Sequence, residues 1–174
     1  MARIAYANPS LPDIQPLVDR IVSERGSLLH LYQMLLHSAP LTEGWLVYLT
    51  AIRQRLSLAG AIRELVIIRV ASLNGAQYEA DQHAPIARRE GVSEAKLAAL
   101  GEWRDCQAFA TDERAALALT DAMTRDVQVP GDVFDAVRAH FSERETVELV
   151  ATIAAYNMVS RFLEALQIHS HDER

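Results

Sequence analysis

Glutamates and a histidine that could do chemistry together lie in the stretch from Glu64 to His83, ELVIIRVASLNGAQYEADQH. Glu64 lies near the start of a long apolar run, whereas Glu79 and His83 are four residues apart and share one face of a helix. A carboxylate that faces an imidazole can fix its tautomer and raise its pKa. Such a pair can transfer protons near neutral pH. The stretch therefore indicates acid–base chemistry.

Two predicted helices, residues 58–74 and 76–90, carry these groups and are joined by a short turn at Asn74-Gly75. Consecutive helices with so short a connection pack antiparallel. That arrangement brings Glu64 of the first helix opposite the His83 end of the second. Contact between these two side chains is therefore the main structural prediction.

A purely structural role is the alternative for the same residues. A glutamate near a helix start often interacts only with the helix dipole, at about 0.3–1 kcal/mol. Arg63 and Arg69 are close enough in sequence to pair with Glu64 or Glu79. A polar cavity that holds Glu64 and His83 would favour catalysis, whereas a collapsed or salt-bridged arrangement would favour a scaffold.

The chain as a whole is predicted to be a single all-α domain over residues 1–174. Gly and Pro number only 7 and 6, and half of the residues are hydrophobic, so long buried helices are favoured over many strands. Apolar periodicity predicts a bundle of about nine helices. They cover residues 13–25, 28–37, 41–56, 58–74, 76–90, 94–100, 111–123, 130–140 and 142–168.

Several boundary signals accompany these helices. Residues 1–12 are predicted to form an irregular arm, and Ala39-Pro40 is predicted to break the chain between the second and third helices. Ser93 and Thr111 are predicted N-caps. Ser142 to Glu145 reads S-x-x-E, which predicts a capping box. The polar tail beyond residue 168 is predicted to be frayed.

A weak internal repeat of helical hairpins is also predicted. Glu64-Leu65-Val66 with its apolar run and Asn74 resembles Glu148-Leu149-Val150 with its run and Asn157.

Charge and composition exclude some classes of binding partner. The net charge of −6 argues against a nucleic-acid surface. No stretch has the apolar core of a signal peptide or the roughly 18 apolar residues of a membrane span, so we expect no membrane partner. A single cysteine, Cys106, favours a reducing compartment and a cytoplasmic protein. We predict no cofactor and no metal site, although His169 and His171 could bind a metal adventitiously.

The stretch from Arg63 to Leu100 resembles the carboxymuconolactone decarboxylase family, which includes alkylhydroperoxidase-like proteins, and the helix from Tyr156 to Leu166 resembles the C-terminal helix of many members. The family-like core covers about residues 41–125, followed by C-terminal helices over 130–168. The resemblance implies an all-α bundle of the alkylhydroperoxidase-like type. It also implies a homo-oligomer, trimeric or hexameric, with sites near subunit contacts.

The peroxidase branch of that family carries a Glu, two cysteines in C-x-x-C spacing, and a His. The resemblance matches Glu64 and His83 to the Glu and the His, but the two cysteine positions hold Ala76 and Glu79. Dithiol peroxide reduction needs one thiolate to attack and a second to resolve. Dithiol peroxidase activity is therefore disfavoured, and a thiol peroxidase using Cys106 alone is the third choice.

The resemblance thus favours a non-redox, carboxymuconolactone decarboxylase-like enzyme acting on a small carboxylated or lactone substrate. Decarboxylation leaves an enolate, which needs an acid to return a proton and a donor near the oxyanion. His83 is the expected acid, oriented by Glu64 or Glu79. The candidate substrate-binding residues are Tyr78 or Asn74 as donors and Arg63, Arg69 or Arg161 as partners of a substrate carboxylate. The alternative is a non-catalytic helical oligomer or small-ligand binder on the same scaffold.

Overall fold

The computed structural model describes residues 1–172, and in this range it contains α-helices, 3₁₀ turns and loops but no strand. The all-α prediction is confirmed, with nine α-helices among the described residues. They are α1 (Gln15–Arg25), α2 (His30–Leu35), α3 (Ala39–Gln54), α4 (Gly60–Asn74), α5 (Gln77–Arg89), α6 (Glu94–Ala99), α7 (Thr111–Arg125), α8 (Gly131–Arg138) and α9 (Glu143–Leu166). Short 3₁₀ helices span Pro12–Ile14 and Leu100–Glu102.

The chain divides into two compact units. One consists of Met1–Arg55 together with the chain from Leu163 onward, and the other of Leu56–Phe162. Helix α9 therefore belongs to the second unit up to Phe162 and to the first unit after it. The single-domain assignment made from the sequence stays a prediction.

In the first unit, α1 and α2 both pack against α3. Gly26 ends α1 in the left-handed region at φ 81°, where glycine is favoured because it has no Cβ. The predicted break at Ala39-Pro40 is wrong, because these residues form the first turn of α3. Proline is tolerated there, since its missing N–H has no helical acceptor in the first turn.

The end of the first unit is fixed by hydrogen bonds up to Asp172. The Tyr6 hydroxyl donates to the Asp172 carboxylate at 2.7 Å, and the His169 amide donates to it at 3.1 Å. The Arg3 amide donates to the Leu166 carbonyl at 2.9 Å. The prediction of a frayed tail is therefore wrong up to Asp172, and residues 173 and 174 lie outside the described range.

In the second unit, α4 is the central helix and packs against both α5 and α7, while α7 packs against α8. Apolar side chains of α4 to α7 form one core, and each fully buried one contributes about 1.5–3 kcal/mol. Trp103 and Phe109, which lie in the connection between α6 and α7, are part of it. The core residues are Leu65, Ala87, Val92, Leu100, Trp103, Phe109 and Leu117.

Two of the three predicted helix caps are present in the second unit. The Ser93 hydroxyl accepts from the Lys96 amide at 3.3 Å. In the capping box, the Ser142 hydroxyl accepts from the Glu145 amide at 3.2 Å and the Glu145 carboxylate accepts from the Ser142 amide at 3.0 Å. Thr111 is not a cap, because it is the first residue of α7; the Glu113 carboxylate instead accepts from the Ala110 amide at 2.8 Å.

Helix α9 is 24 residues long and is, among the described residues, the one helix long and apolar enough to cross a membrane by length and composition. Half of its most apolar window is buried inside the protein. Core helices of soluble proteins have the same properties, so this is weak evidence for a membrane span.

Candidate active site

Glu64 and His83 are in direct contact within the second unit. The His83 Nδ1 atom lies 2.6 Å from the Glu64 Oε2 atom. Helix α4 ends at Asn74, and Gly75 then adopts φ 70°, which allows α5 to start after a minimal turn and return along α4. The contact predicted from the sequence is therefore confirmed.

Two further oxygens lie on the opposite side of the imidazole ring. The Glu79 Oε1 atom and the Tyr156 hydroxyl are each 3.2 Å from His83 Nε2. Glu79 reaches the ring because it precedes His83 by one helical turn on α5, whereas Tyr156 comes from α9. The two aromatic rings meet edge to face, with centroids 5.0 Å apart. Both ring nitrogens of His83 therefore have oxygen partners.

Arg63 binds the second carboxylate oxygen of Glu64. Its Nε donates to Glu64 Oε1 at 3.1 Å, and its Nη2 donates to Glu90 Oε1 at 3.2 Å. We call Arg63, Glu64, Glu79, His83 and Tyr156 the His83 cluster.

The His83 cluster is closed to solvent. Glu64 and His83 each keep 1% of their surface exposed, and Glu79 keeps 5%. Burial by itself lowers the pKa of His83, but its hydrogen bonds to Glu64 and Glu79 and their negative charges raise it more, so the pKa lies above the ordinary 6.5. Burial likewise raises the pKa of Glu64, but His83 and Arg63 outweigh it and hold that pKa below its usual value.

When His83 is an imidazolium, the cations Arg63 and His83 face the buried carboxylates Glu64 and Glu79, each within 3.2 Å of an opposite charge. Arg63 also pairs with the exposed Glu90 at 3.2 Å. In this form Nδ1–H donates to Glu64 and Nε2–H donates to Glu79 and Tyr156. Because Glu64 holds Nδ1, the nitrogen that can exchange a proton with a bound molecule is Nε2. The arrangement is that of an oriented general acid.

The positions that the family resemblance matches to cysteines carry no thiol here. Ala76 is fully buried at the start of α5, and Glu79 turns its carboxylate to the imidazole. Cys106 is a free, partly exposed thiol in the connection between α6 and α7.

Arg69, a predicted substrate-binding residue, lies in a separate ion pair. Its Nε and Nη2 donate to the two oxygens of Asp121 at 2.7 and 3.1 Å, and its Nη1 donates to the carbonyls of Leu100 and Gly101. Trp103 Nε1 also donates to Asp121. Nearly all of the guanidinium donors are thus used to connect α4 to α7, so we assign Arg69 a structural role.

Asn74 and Arg161 belong to another polar group, centred on Asn157. The Asn74 amide donates to the Asn157 Oδ1 atom at 3.0 Å, and Arg161 donates to the same atom at 2.8 Å. The Asn157 amide in turn donates to the Thr124 hydroxyl at 3.0 Å. The two asparagines of the predicted internal repeat therefore bind each other.

The tyrosine hydroxyl beside the imidazole belongs to Tyr156, which the sequence reasoning did not include in the site. Tyr78, the predicted donor, is buried on α5 next to Glu79. Tyr156 precedes the second asparagine of the internal repeat by one residue, but nothing in its spacing relates it to His83, which lies 73 residues earlier. The roles of Tyr78, Asn74, Arg63 and Arg161 in substrate binding stay predictions.

Two cavities are found elsewhere. One lies in the first unit, under the N-terminal arm, and the other lies beside Trp103, Arg104 and Arg114 in the second unit. In the part of the chain that the structure describes, no residue of the His83 cluster lines either cavity.

The fold and the cluster together define an alkylhydroperoxidase-like helical protein with a buried imidazole between two carboxylates. Residues 39–122 match the model of the carboxymuconolactone decarboxylase family. The uncharacterized protein YdfG of Bacillus subtilis (strain 168) is 33% identical over 112 residues, which cover 63% of this chain and 76% of YdfG. The chain belongs to the carboxymuconolactone decarboxylase family.

Solved structures with lower identity share the fold. An uncharacterized peroxidase-related protein from Ralstonia eutropha JMP134, described as an alkylhydroperoxidase AhpD core, superposes with a TM-score of 0.83 at 18% identity, covering 98% of this chain and 93% of its own. The debrominase Bmp8, solved as a cysteine-to-alanine variant in complex with 2,3,4-tribromopyrrole, gives a TM-score of 0.80 at 20% identity, covering 96% and 92%.

Proposed function

We propose that this chain is a non-redox enzyme that uses acid–base chemistry on a small carboxylated or lactone substrate, in the manner of a carboxymuconolactone decarboxylase. The observation that carries the proposal is the buried His83 imidazole, held by Glu64 at 2.6 Å on one side and facing Glu79 and Tyr156 at 3.2 Å on the other.

In the proposed reaction, the bond between the ring and the carboxylate carbon breaks and CO₂ leaves. The electron pair stays on the substrate as an enolate, and the Nε2–H of His83 donates a proton to carbon. No electron is gained or lost, so no oxidant or reductant is required. Glu64 keeps its hydrogen bond to Nδ1 and holds the ring in position. The substrate replaces Glu79 and Tyr156 as the partner of Nε2.

The activities named for the structural neighbours are not transferred to this chain. Peroxidase-related proteins and the debrominase share the fold at 16–21% identity. Ala76 and Glu79 supply no thiol, and Cys106 has no second cysteine in the chain to resolve it. These residues support a reaction in which no disulfide forms.

A non-catalytic scaffold is the second candidate, and the closure of the His83 cluster favours it. The two carboxylates and the imidazole are at most 5% exposed and are salt-bridged to one another. A substrate would need Glu79 to move before it could reach Nε2. If the chain is a scaffold, the cluster only holds α4, α5 and α9 together.

The test is turnover of carboxymuconolactones by the purified protein and by its His83→Asn variant, followed by substrate absorbance and CO₂ release. We expect the variant to lose about 10²–10⁴-fold in turnover, the usual contribution of a general acid. His140→Asn is the matched control, because His140 is exposed and lies outside the cluster. Unchanged turnover in His83→Asn would contradict the proton-donor role, and no turnover by the unaltered protein would favour the scaffold.

We also propose that the chain forms a homo-oligomer, trimeric or hexameric as the family resemblance implies. Supporting this, the outer face of α9 is apolar, with Val147 and Met158 68% and 40% exposed and Ala151 and Ala154 between them. These positions are four, three and four residues apart, a spacing suited to packing against another helix.

A further inference from the structure

The N-terminal arm of the first unit is held in place by hydrogen bonds to the last turn of α9, to Asp172 and to His37, which follows α2. The Arg3 side chain donates to the Ala165 carbonyl at 2.9 Å, and the Tyr6 hydroxyl donates to Asp172 at 2.7 Å. His37 Nε2 lies 2.8 Å from the Ala5 carbonyl. Although it has no regular secondary structure, the arm is therefore a fixed part of this unit.

Beneath the arm lies a cavity of about 1080 Å³. That volume is at the upper end of small-molecule sites, which measure roughly 300–1,000 Å³. Most of its lining is apolar. The apolar lining residues include Ala2, Ile4, Ala7 and Pro9 of the arm, together with Leu28.

One polar group of the lining is buried without a full set of partners. Gln33 lines the cavity and is only 5% exposed. Its Nε2 donates to the Ala7 carbonyl at 3.1 Å, and because a carbonyl can only accept, this contact fixes which end of the amide is nitrogen. The remaining Oε1 atom has no hydrogen-bond partner among residues 1–172 and is itself closed to solvent, so a bound molecule reaches it only when the Gln33 side chain or the arm adjusts. A buried acceptor left in this state costs about 1–3 kcal/mol.

We propose that this cavity binds a neutral, mainly apolar small molecule that carries one N–H or O–H donor, and that the donor bonds to Gln33 Oε1. The lining favours an apolar body. The free acceptor selects for a single donor. A charged ligand is not required, because the charged groups of the lining already have partners. Asp172 accepts from Tyr6 and His169 and pairs with the Met1 amino group, and Arg3 donates to the Ala165 carbonyl. The site is independent of the His83 cluster and of the reaction proposed for it.

The test uses two probes of the same shape, indole, which has an N–H donor, and benzofuran, which has none. Each is titrated into ¹⁵N-labelled protein, and the side-chain amide signals of Gln33 and the backbone signals of the arm are followed by NMR. We expect indole to shift both sets of signals and to bind about 2–10-fold more tightly than benzofuran, the usual net effect of one hydrogen bond. Equal affinities, or shifts confined to other residues, would overturn the proposal, as would no binding of either probe.

A variant pair separates the acceptor from the shape of the cavity. Gln33→Met keeps a side chain of similar length but removes the amide, so indole should lose its advantage over benzofuran. The matched control, Gln107→Met, changes an exposed glutamine of the second unit and should leave both affinities unchanged. A retained preference for indole in Gln33→Met would refute the role of Gln33. Should that variant unfold, the comparison of indole and benzofuran affinities in the unaltered protein still tests the proposal.

Discussion

His83 determines how the candidate site responds to pH. Its pKa is raised because Glu64 and Glu79 outweigh the effect of burial. The group therefore binds its proton more tightly in the folded chain than in the unfolded chain, where the pKa is about 6.5. The resulting stabilisation is fully present below pH ~6.5 and is lost as the pH rises through the folded pKa.

We predict that the free energy of unfolding falls as the pH rises from about 6.5 through the raised pKa of His83, and that this fall is absent in His83→Asn. Urea unfolding at a series of pH values measures it, with His140→Asn as the control that keeps the dependence. NMR titration of the imidazole signals gives the pKa directly. A His83 pKa at or below 6.5 in the folded protein would contradict the prediction.

Replacing Glu64 by glutamine should lower the pKa of His83. The variant keeps an oxygen that can accept from Nδ1–H, but it removes the nearest negative charge. Burial, which lowers the pKa of His83, is then opposed by Glu79 alone. We expect destabilisation of about 1–3 kcal/mol at neutral pH and a shift of the pH-dependent fall to lower pH. NMR titration and urea unfolding of Glu64→Gln measure these effects. An unchanged His83 titration would mean that Glu79 alone sets the ionisation.

The sequence was sufficient to bring together three of the five residues of this cluster, Glu64, Glu79 and His83. Glu64 and His83 could be paired because only a minimal turn separates their helices, so antiparallel packing follows from chain length alone. Tyr156 could not be found this way, because it reaches the ring from α9 and its position depends on the packing of the whole second unit. Spacing also could not separate Arg63, which braces Glu64, from Arg69, which binds Asp121.

At the scale of elements, the buried pair of Arg69 and Asp121 connects α4 to α7. We predict that Asp121→Asn destabilises the protein by about 3–5 kcal/mol, because it leaves the buried Arg69 without its counter-charge. Arg69→Met should cost less, because Arg104 still pairs with Asp121. The double variant Arg69→Met/Asp121→Asn should lose less than the sum of the two. Urea unfolding of this cycle gives the coupling free energy.

The exposed pair of Arg88 and Glu94 is the matched control for that cycle, and its removal should cost much less than removal of the buried pair. Additive losses for Arg69 and Asp121 would contradict their role as a coupled connection.

Helix interiors followed from apolar periodicity, but some ends did not. Pro40 predicts a break because proline cannot lie in the interior of a helix. In the first turn of a helix proline is favoured, and Pro40 lies in the first turn of α3. Residue type predicts Thr111 as a cap, but Thr111 is the first residue of α7, and the Glu113 carboxylate accepts from the Ala110 amide at the helix start. Which side chain satisfies a helix end is decided by geometry that residue type does not specify.

At the scale of the whole molecule, the predicted internal repeat has different roles in its two halves. Asn74 and Asn157 bind each other at 3.0 Å, but the two glutamates diverge. Glu64 faces His83, whereas Glu148 accepts from the amides of Ser57 and Leu58 just before α4. The second half therefore stabilises the start of the helix that carries the candidate site in the first half.

The proposed assembly gives the last prediction. In the proposed assembly the apolar outer face of α9, from Val147 to Met158, is buried between copies of the chain. The double variant Val147→Glu/Met158→Glu should place repelling charges in this contact. We expect it to reduce the molar mass measured by light scattering after size exclusion. Val127→Glu is the control, because Val127 is 79% exposed and lies outside α9. If the unaltered chain is monomeric, or if the double variant keeps its full mass while Val127→Glu does not, α9 is not the contact surface.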